Sequence, residues 1–149
     1  MTRRVCCLLA AGCAAGAEMK REVILATMNQ VRRGARLRPL QFEKRLQKAA
    51  QFKADDMVRV GYFSHTGIDG KKPWDLVEEA GYAYAKVAEN LAEGQQTPEA
   101  LRDAWMESPA HRENVLEKRF VHTGIGIARR GARYVVVQVF AAPAVREEN

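Results

Sequence analysis

The sequence predicts an α+β domain, with helices packed on a small antiparallel sheet. Three observations carry this. Apolar residues recur at offsets of three and four through most of the body. After Val121 the period changes to two and a hairpin signal follows. The 149 residues, 47% of them hydrophobic and 28% charged, suit one folded domain, not two. That composition excludes a disordered chain. No uncharged apolar run reaches the roughly 18 residues of a membrane span, and 11 Gly and 5 Pro without a period exclude a fibre.

Each element has its own warrant. Glu18 to Gly34 places Val23, Ile24, Thr27, Met28 and Val31 on one helical face, and Pro39 then breaks the chain. A second helix is expected from Phe42 to Val60. Its stripe is Leu46, Ala49, Ala50, Lys53, Met57 and Val60, and Gly61 closes it. Tyr62 to Lys72 holds Gly67 and Gly70 and reads as an irregular loop. Pro73 is suited to open a short helix, Trp74 to Ala80, stopped by Gly81. Tyr82 to Val87 reads as a short strand. Thr97 caps and Pro98 starts a helix carrying Leu101, Ala104 and Trp105. Ser108-Pro109 repeats that start for a helix through Leu116. Val121, Thr123, Ile125 and Ile127 then alternate with His122, Gly124 and Gly126. Arg129-Arg130-Gly131-Ala132 turns, and Tyr134 to Phe140 completes a hairpin.

The N-terminus reads as a leader. Arg3 and Arg4 precede an uncharged run from Val5 to Ala17, ending Ala15-Gly16-Ala17, the pattern of a secretory signal peptide. Residues 18–149 are then the single domain. Leu9-Ala10-Ala11-Gly12-Cys13 also resembles a loose lipobox, which would make Cys13 a lipidated first residue and the protein membrane-anchored there. Cys6, Cys7 and Cys13 all lie in this segment, so the body contains no cysteine and must hold its fold by packing. The expected location is secreted or extracytoplasmic, in the periplasm or cell envelope.

Three histidines, His65, His111 and His122, are the first candidates for chemistry. His65 stands in the Gly-rich loop. His111 stands in the first turn of a helix, where the dipole favours neutral imidazole, the form that binds a metal or accepts a proton. Glu89 lies in the small, apolar stretch Ala88-Glu89-Asn90-Leu91-Ala92, where a carboxylate needs a partner. Two histidines and a carboxylate could hold a divalent ion such as Zn²⁺ or act as a hydrogen-bonded base. The spacing alone leaves open that Glu89 ties down a loop and the histidines are structural. His122 reads as solvent-facing or structurally bonded. Trp74 and Trp105 read as core anchors, and Asn90 and Asn114 as holding backbone. The basic run Arg32, Arg33, Arg36, Arg38, Lys44, Arg45 and Lys48 reads first as a solvated face, and more sharply as a patch for anionic envelope polymers or lipid headgroups. No phosphate loop, nucleophile elbow or cysteine nucleophile stands in the body, and a nucleic-acid partner is not expected of an exported protein.

Four blocks carry a resemblance. Phe63-Ser64-His65, Ala88-Glu89-Asn90-Leu91-Ala92, Trp105-Met106-Glu107-Ser108-Pro109-Ala110-His111-Arg112 and Thr123-Gly124-Ile125-Gly126-Ile127 resemble successive motifs of the CAP superfamily. Those are the cysteine-rich secretory, antigen five and plant pathogenesis-related (PR-1-like) proteins, and the likeness is to the bacterial SCP-like extracellular domain. The match spans about Val23 to Phe140. It implies a three-layer α-β-α sandwich with a central antiparallel sheet. It also implies a cleft lined by two histidines and two acids. On matching positions the histidines are His65 and His111, and one acid is Glu89 beside Asn90. The second acid falls at Ser108, with Glu107 one residue earlier, a helical rotation of about 100° away. Some relatives bind zinc through the histidines.

Three functions follow as expectations. The first is a secreted, monomeric module binding a lipid, a glycan or a divalent metal ion in the cleft without turnover. The second is a metal-assisted hydrolase, a peptidase, using His65, His111 and Glu89. The third is an envelope interaction protein working through its basic face. The module is preferred, because a catalyst needs a nucleophile, a base and an orienter, and only base candidates are visible.

Overall fold

A computed structural model describes residues 17–146, so the leader's cleavage and any lipid at Cys13 concern residues that lie, Ala17 apart, outside the described chain. The elements are α1 (Arg21–Gly34), β1 (Gln41–Phe42), α2 (Lys44–Val60), α3 (Pro73–Glu79), β2 (Tyr84–Glu93), α4 (Pro98–Glu107), α5 (Pro109–Leu116), β3 (His122–Arg130) and β4 (Arg133–Pro143). The strands lie in the order β1-β3-β4-β2. β4 runs antiparallel to both β3 and β2, and β1 adds a two-residue parallel pairing to β3. The sheet is therefore mixed where an antiparallel one was expected.

The interior strand β4 explains the layering. Successive side chains of a strand point to opposite faces, and nearly all of β4 is buried. Val135, Val137, Val139 and Ala141 join Leu46, Ala49, Ala50, Ala54 and Met57 of α2 and Val77 of α3 in one core. Val136, Phe140 and Ala142 join Ile24 and Met28 of α1, Leu101 and Trp105 of α4 and Val115 of α5 in another. Each large side chain so buried contributes about 1.5–3 kcal/mol. A strand apolar on both faces needs cover on both, which makes the α-β-α sandwich.

β3 meets α2 through glycine. A Cβ on Gly124 would lie 2.2 Å from the Leu46 carbonyl, and one on Gly126 would lie 2.1 Å from the Ala50 oxygen. With the helix that close, two of its side chains complete the strand. Gln47 donates to the Ile125 oxygen at 2.6 Å and accepts from the Ile125 N–H at 2.9 Å. Gln51 does the same for Ile127, at 2.9 and 3.1 Å.

Several expectations are corrected. Gln41–Phe42 is strand, and α2 starts at Lys44 because the Glu43 carboxylate caps it, accepting from the N–H groups of Arg45 and Leu46. β2 runs on to Glu93, so Glu89 and Asn90 sit on a strand. Trp105 is a core anchor, 1% exposed, but Trp74 is 46% exposed. Val60, at the end of the α2 stripe, is exposed. The basic run is not one solvated face. Arg32 is fully buried and donates to four carbonyls: Arg38 at 2.9 Å, Val115 at 2.8 Å, Glu117 at 3.0 Å and Phe120 at 3.1 Å. A guanidinium has five N–H donors in a rigid fork, enough for that task.

Candidate functional site

The site is built around β2, the strand at the opposite margin of the sheet from β1. Alternation sends Glu89 and Asn90 to different faces. Glu89 shares its face with Val87 and Leu91, on the α2 side. There the His65 Nδ1 stands 2.9 Å from its Oε1. Asn90 points to the other layer and donates to the His111 backbone oxygen at 3.1 Å. Asn114 of α5 donates to Asn90 Oδ1 at 2.8 Å and to the Glu89 oxygen at 3.4 Å. Trp105 Nε1–H reaches the Leu91 oxygen at 3.1 Å. The loop carrying His65 and the helix carrying His111 thus approach β2 from opposite layers.

The carboxyl of Glu89 is buried, its side chain 2% exposed, while the His65 side chain is 55% exposed. Oε2 of Glu89 has no hydrogen-bond partner. Burial pushes this carboxyl above its ordinary range, and the His65 hydrogen bond and the charge of Lys53 oppose the shift. Lys53 is the other buried charge here, 1% exposed. Its Nζ donates to the His65 backbone oxygen at 3.0 Å and lies over the Tyr62 ring. Burial lowers its pKa, with Glu89 and then Asp56 pulling the other way. Burial, and secondarily the charge of His65, lower the pKa of His111, which favours the neutral imidazole.

A cleft of about 330 Å³ opens here, lined by His65, Thr66, Lys72, Pro73, Trp74, Val87, Ala88, Glu89 and Asn114. Pro73 and Trp74 open α3, whose start is fixed by the Asp75 carboxylate accepting from the Lys72 N–H at 2.7 Å. Trp74 is a cleft residue that periodicity assigns to a core stripe, but in a seven-residue helix that stripe is only two turns long. Lys53 is a site residue to which its place on the α2 stripe gives no role. A lysine among alanines at core offsets is the signal of a buried charge.

The remaining candidates fall out as follows. His122 Nδ1 stands 2.8 Å from the Tyr82 hydroxyl, a structural bond away from the cleft. Ser108 is the half-buried residue between α4 and α5, and Glu107 is exposed. Among the described residues, no three His, Cys, Asp or Glu side chains form a group that could hold a metal ion. Zinc takes at least three protein ligands in its usual sites. The Glu89 contact occupies His65 Nδ1, as a carboxylate does when it orients an imidazole, and leaves Nε2 as the ring nitrogen that faces away from it.

A three-layer sandwich with a histidine–glutamate pair on the marginal strand defines a class of domain, and comparison with known proteins names it. The family model of the cysteine-rich secretory protein family, CAP, matches residues 25–140. The Bacillus subtilis protein YkwD is 37% identical over 109 residues, covering 73% of this chain and 42% of YkwD. The chain belongs to the CAP family. It spans less than half the length of the curated relatives it matches. Among solved structures, an extracellular SCP-domain protein of Bacillus anthracis superposes with a TM-score of 0.75 at 23% identity, covering 81% of this chain and 39% of that one. An outer surface protein of Borrelia burgdorferi gives 0.78 at 19% identity, covering 87% and 99%. NaASP2, solved with Zn²⁺, gives 0.57 at 13%, covering 86% and 82%. These three likenesses support the fold.

Proposed function

We propose that this chain is an extracytoplasmic CAP domain that holds a small amphipathic ligand, a lipid or a glycan, in the cleft at β2 without turning it over. One observation carries the reading: Glu89 Oε2 is buried at a cleft wall with no partner in the protein. An unsatisfied buried oxygen costs about 1–3 kcal/mol, and a hydroxyl or amide of a ligand would relieve it. Trp74, half exposed beside it, offers an apolar ring for the rest of the ligand. The extracellular and outer-surface descriptions of two structural neighbours support the location, and among the described residues no helix is long and apolar enough to cross a membrane.

The test is a panel of lipids and glycan fragments scored by melting temperature and by NMR shifts of the Trp74 indole N–H. The expected hit raises the melting temperature of the wild type, and Trp74→Ala abolishes the rise while keeping the fold. A panel that moves neither signal would sink the reading. Divalent metal is an outcome of the same panel: zinc that stabilises the protein and is lost from a His65→Ala/His111→Ala variant would replace the organic ligand.

A second reading rests on the His65–Glu89 contact, which is the geometry of a base and its orienter. In a hydrolase of the peptidase kind, His65 would take a proton from water while Glu89 stabilises the imidazolium. Turnover that survives His65→Ala unchanged would assign the activity to a contaminant.

A further inference from the structure

The solvent-facing side of α2 carries a feature that the cleft does not use. Lys44, Lys48 and Phe52 recur every four residues and so stand in one row along the helix. With Arg21, Arg45 and Gln47 they line a groove of about 670 Å³ that has no carboxylate in its lining. Arg21 and Arg45 each have an acidic partner, Glu22 and Glu43. Among the described residues Lys44 and Lys48 have no such ion pair. Two phenyl groups accompany these cations: Phe52 is 54% exposed, and Phe42, against which the Arg21 guanidinium packs at 5.7 Å, is 38% exposed.

We infer that this face docks on a bilayer rich in anionic phospholipid. A soluble polyanion would satisfy the ammonium groups but leave both rings in water. A bilayer interface takes both at once: phosphates meet the lysines, and phenyl rings enter the boundary between headgroups and acyl chains. The formal charge of +6, which is +6 − 2 = +4 without Arg3 and Arg4 of the leader, favours the approach. The row lies on a rigid helix whose opposite side is fixed to β3, so the contact needs no refolding.

The test uses the full chain with vesicles of phosphatidylcholine alone and of phosphatidylcholine mixed with phosphatidylglycerol, read by co-sedimentation. Binding is expected to the mixed vesicles and to fall with added salt. Each lysine charge near the surface is worth a factor of about five in affinity. Lys44→Glu/Lys48→Glu should therefore lose at least about 25-fold. Phe52→Ser should lose about threefold or more with the charge unchanged. Arg112→Glu/Lys118→Glu alters net charge by the same amount on residues outside the groove, and should lose much less. Circular dichroism checks that each variant is folded. Equal binding to neutral vesicles, equal losses in the two charge-reversed pairs, or binding to heparin with none to vesicles would each overturn the inference.

Discussion

The two margins of the sheet are finished in different ways. Along β3, β1 covers the first residues, and then Gln47 and Gln51 supply both a donor and an acceptor to Ile125 and Ile127. Two glycines let the helix backbone come close enough to do it. Along β2, Trp105 and Asn114 satisfy the carbonyls of Leu91 and Glu89, yet the same strand carries a buried carboxyl with an unpaired oxygen. An exposed strand margin invites wrong pairing and is usually covered. One margin here is closed by side chains of the neighbouring helix, and the other leaves a cleft beside a buried carboxyl.

Changes at the closed margin should cost most. Gly126→Ala puts a methyl 2.1 Å from the Ala50 oxygen. It should destabilise the domain by about 3 kcal/mol or more, measured by denaturant unfolding. A loss under about 1 kcal/mol would mean that α2 is free to shift. Gln47→Ala strands the N–H and C=O of Ile125 and should cost about 2 kcal/mol.

Changes at the other margin should move pH dependence more than stability. Glu89 has a folded pKa raised above its ordinary 4.5. The folded state then holds a proton that the unfolded state has released, so stability falls as pH rises from about 4.5 through the folded pKa. Glu89→Gln should remove that slope and stabilise the protein at neutral pH by about 1 kcal/mol; thermal melts across pH decide it. His111 has the opposite sign. Its folded pKa lies below 6.5, so stability is lost as pH falls below that value. An NMR titration midpoint above 6.5 would contradict the assigned environment.

How much of this was legible depended on how local each signal was. Helical offsets and Pro or Gly punctuation located α1 to α5 to within a few residues, because capping and periodicity act within a few turns. The hairpin β3–β4 was equally plain from Ile125, Ile127 and the Gly131 turn. β2 reads too short because Glu89 and Asn90 interrupt its apolar pattern, and those two polar residues are what distinguish its margin. Histidine and glutamate stand out as residue types, but the 2.9 Å contact of His65 with Glu89 spans 24 positions and depends on where a loop returns. Arg32 misleads for the same reason. Its four acceptors include three that lie more than 80 residues away, and a surface arginine looks identical in sequence to a buried hub.

That hub has a consequence for where the domain can work. Arg32 joins the end of the first helix to the segment from Val115 to Phe120, the kind of long-range tie for which exported proteins often use sulfur. Its hold depends on no oxidant. Among the described residues there is no cysteine at all, so dithiothreitol should leave the melting temperature of the domain where it was. Lysine would not replace it, since an ammonium offers three donors and lacks the planar fork. A tether made of one side chain's amines performs alike in glutathione-rich and oxygen-exposed surroundings.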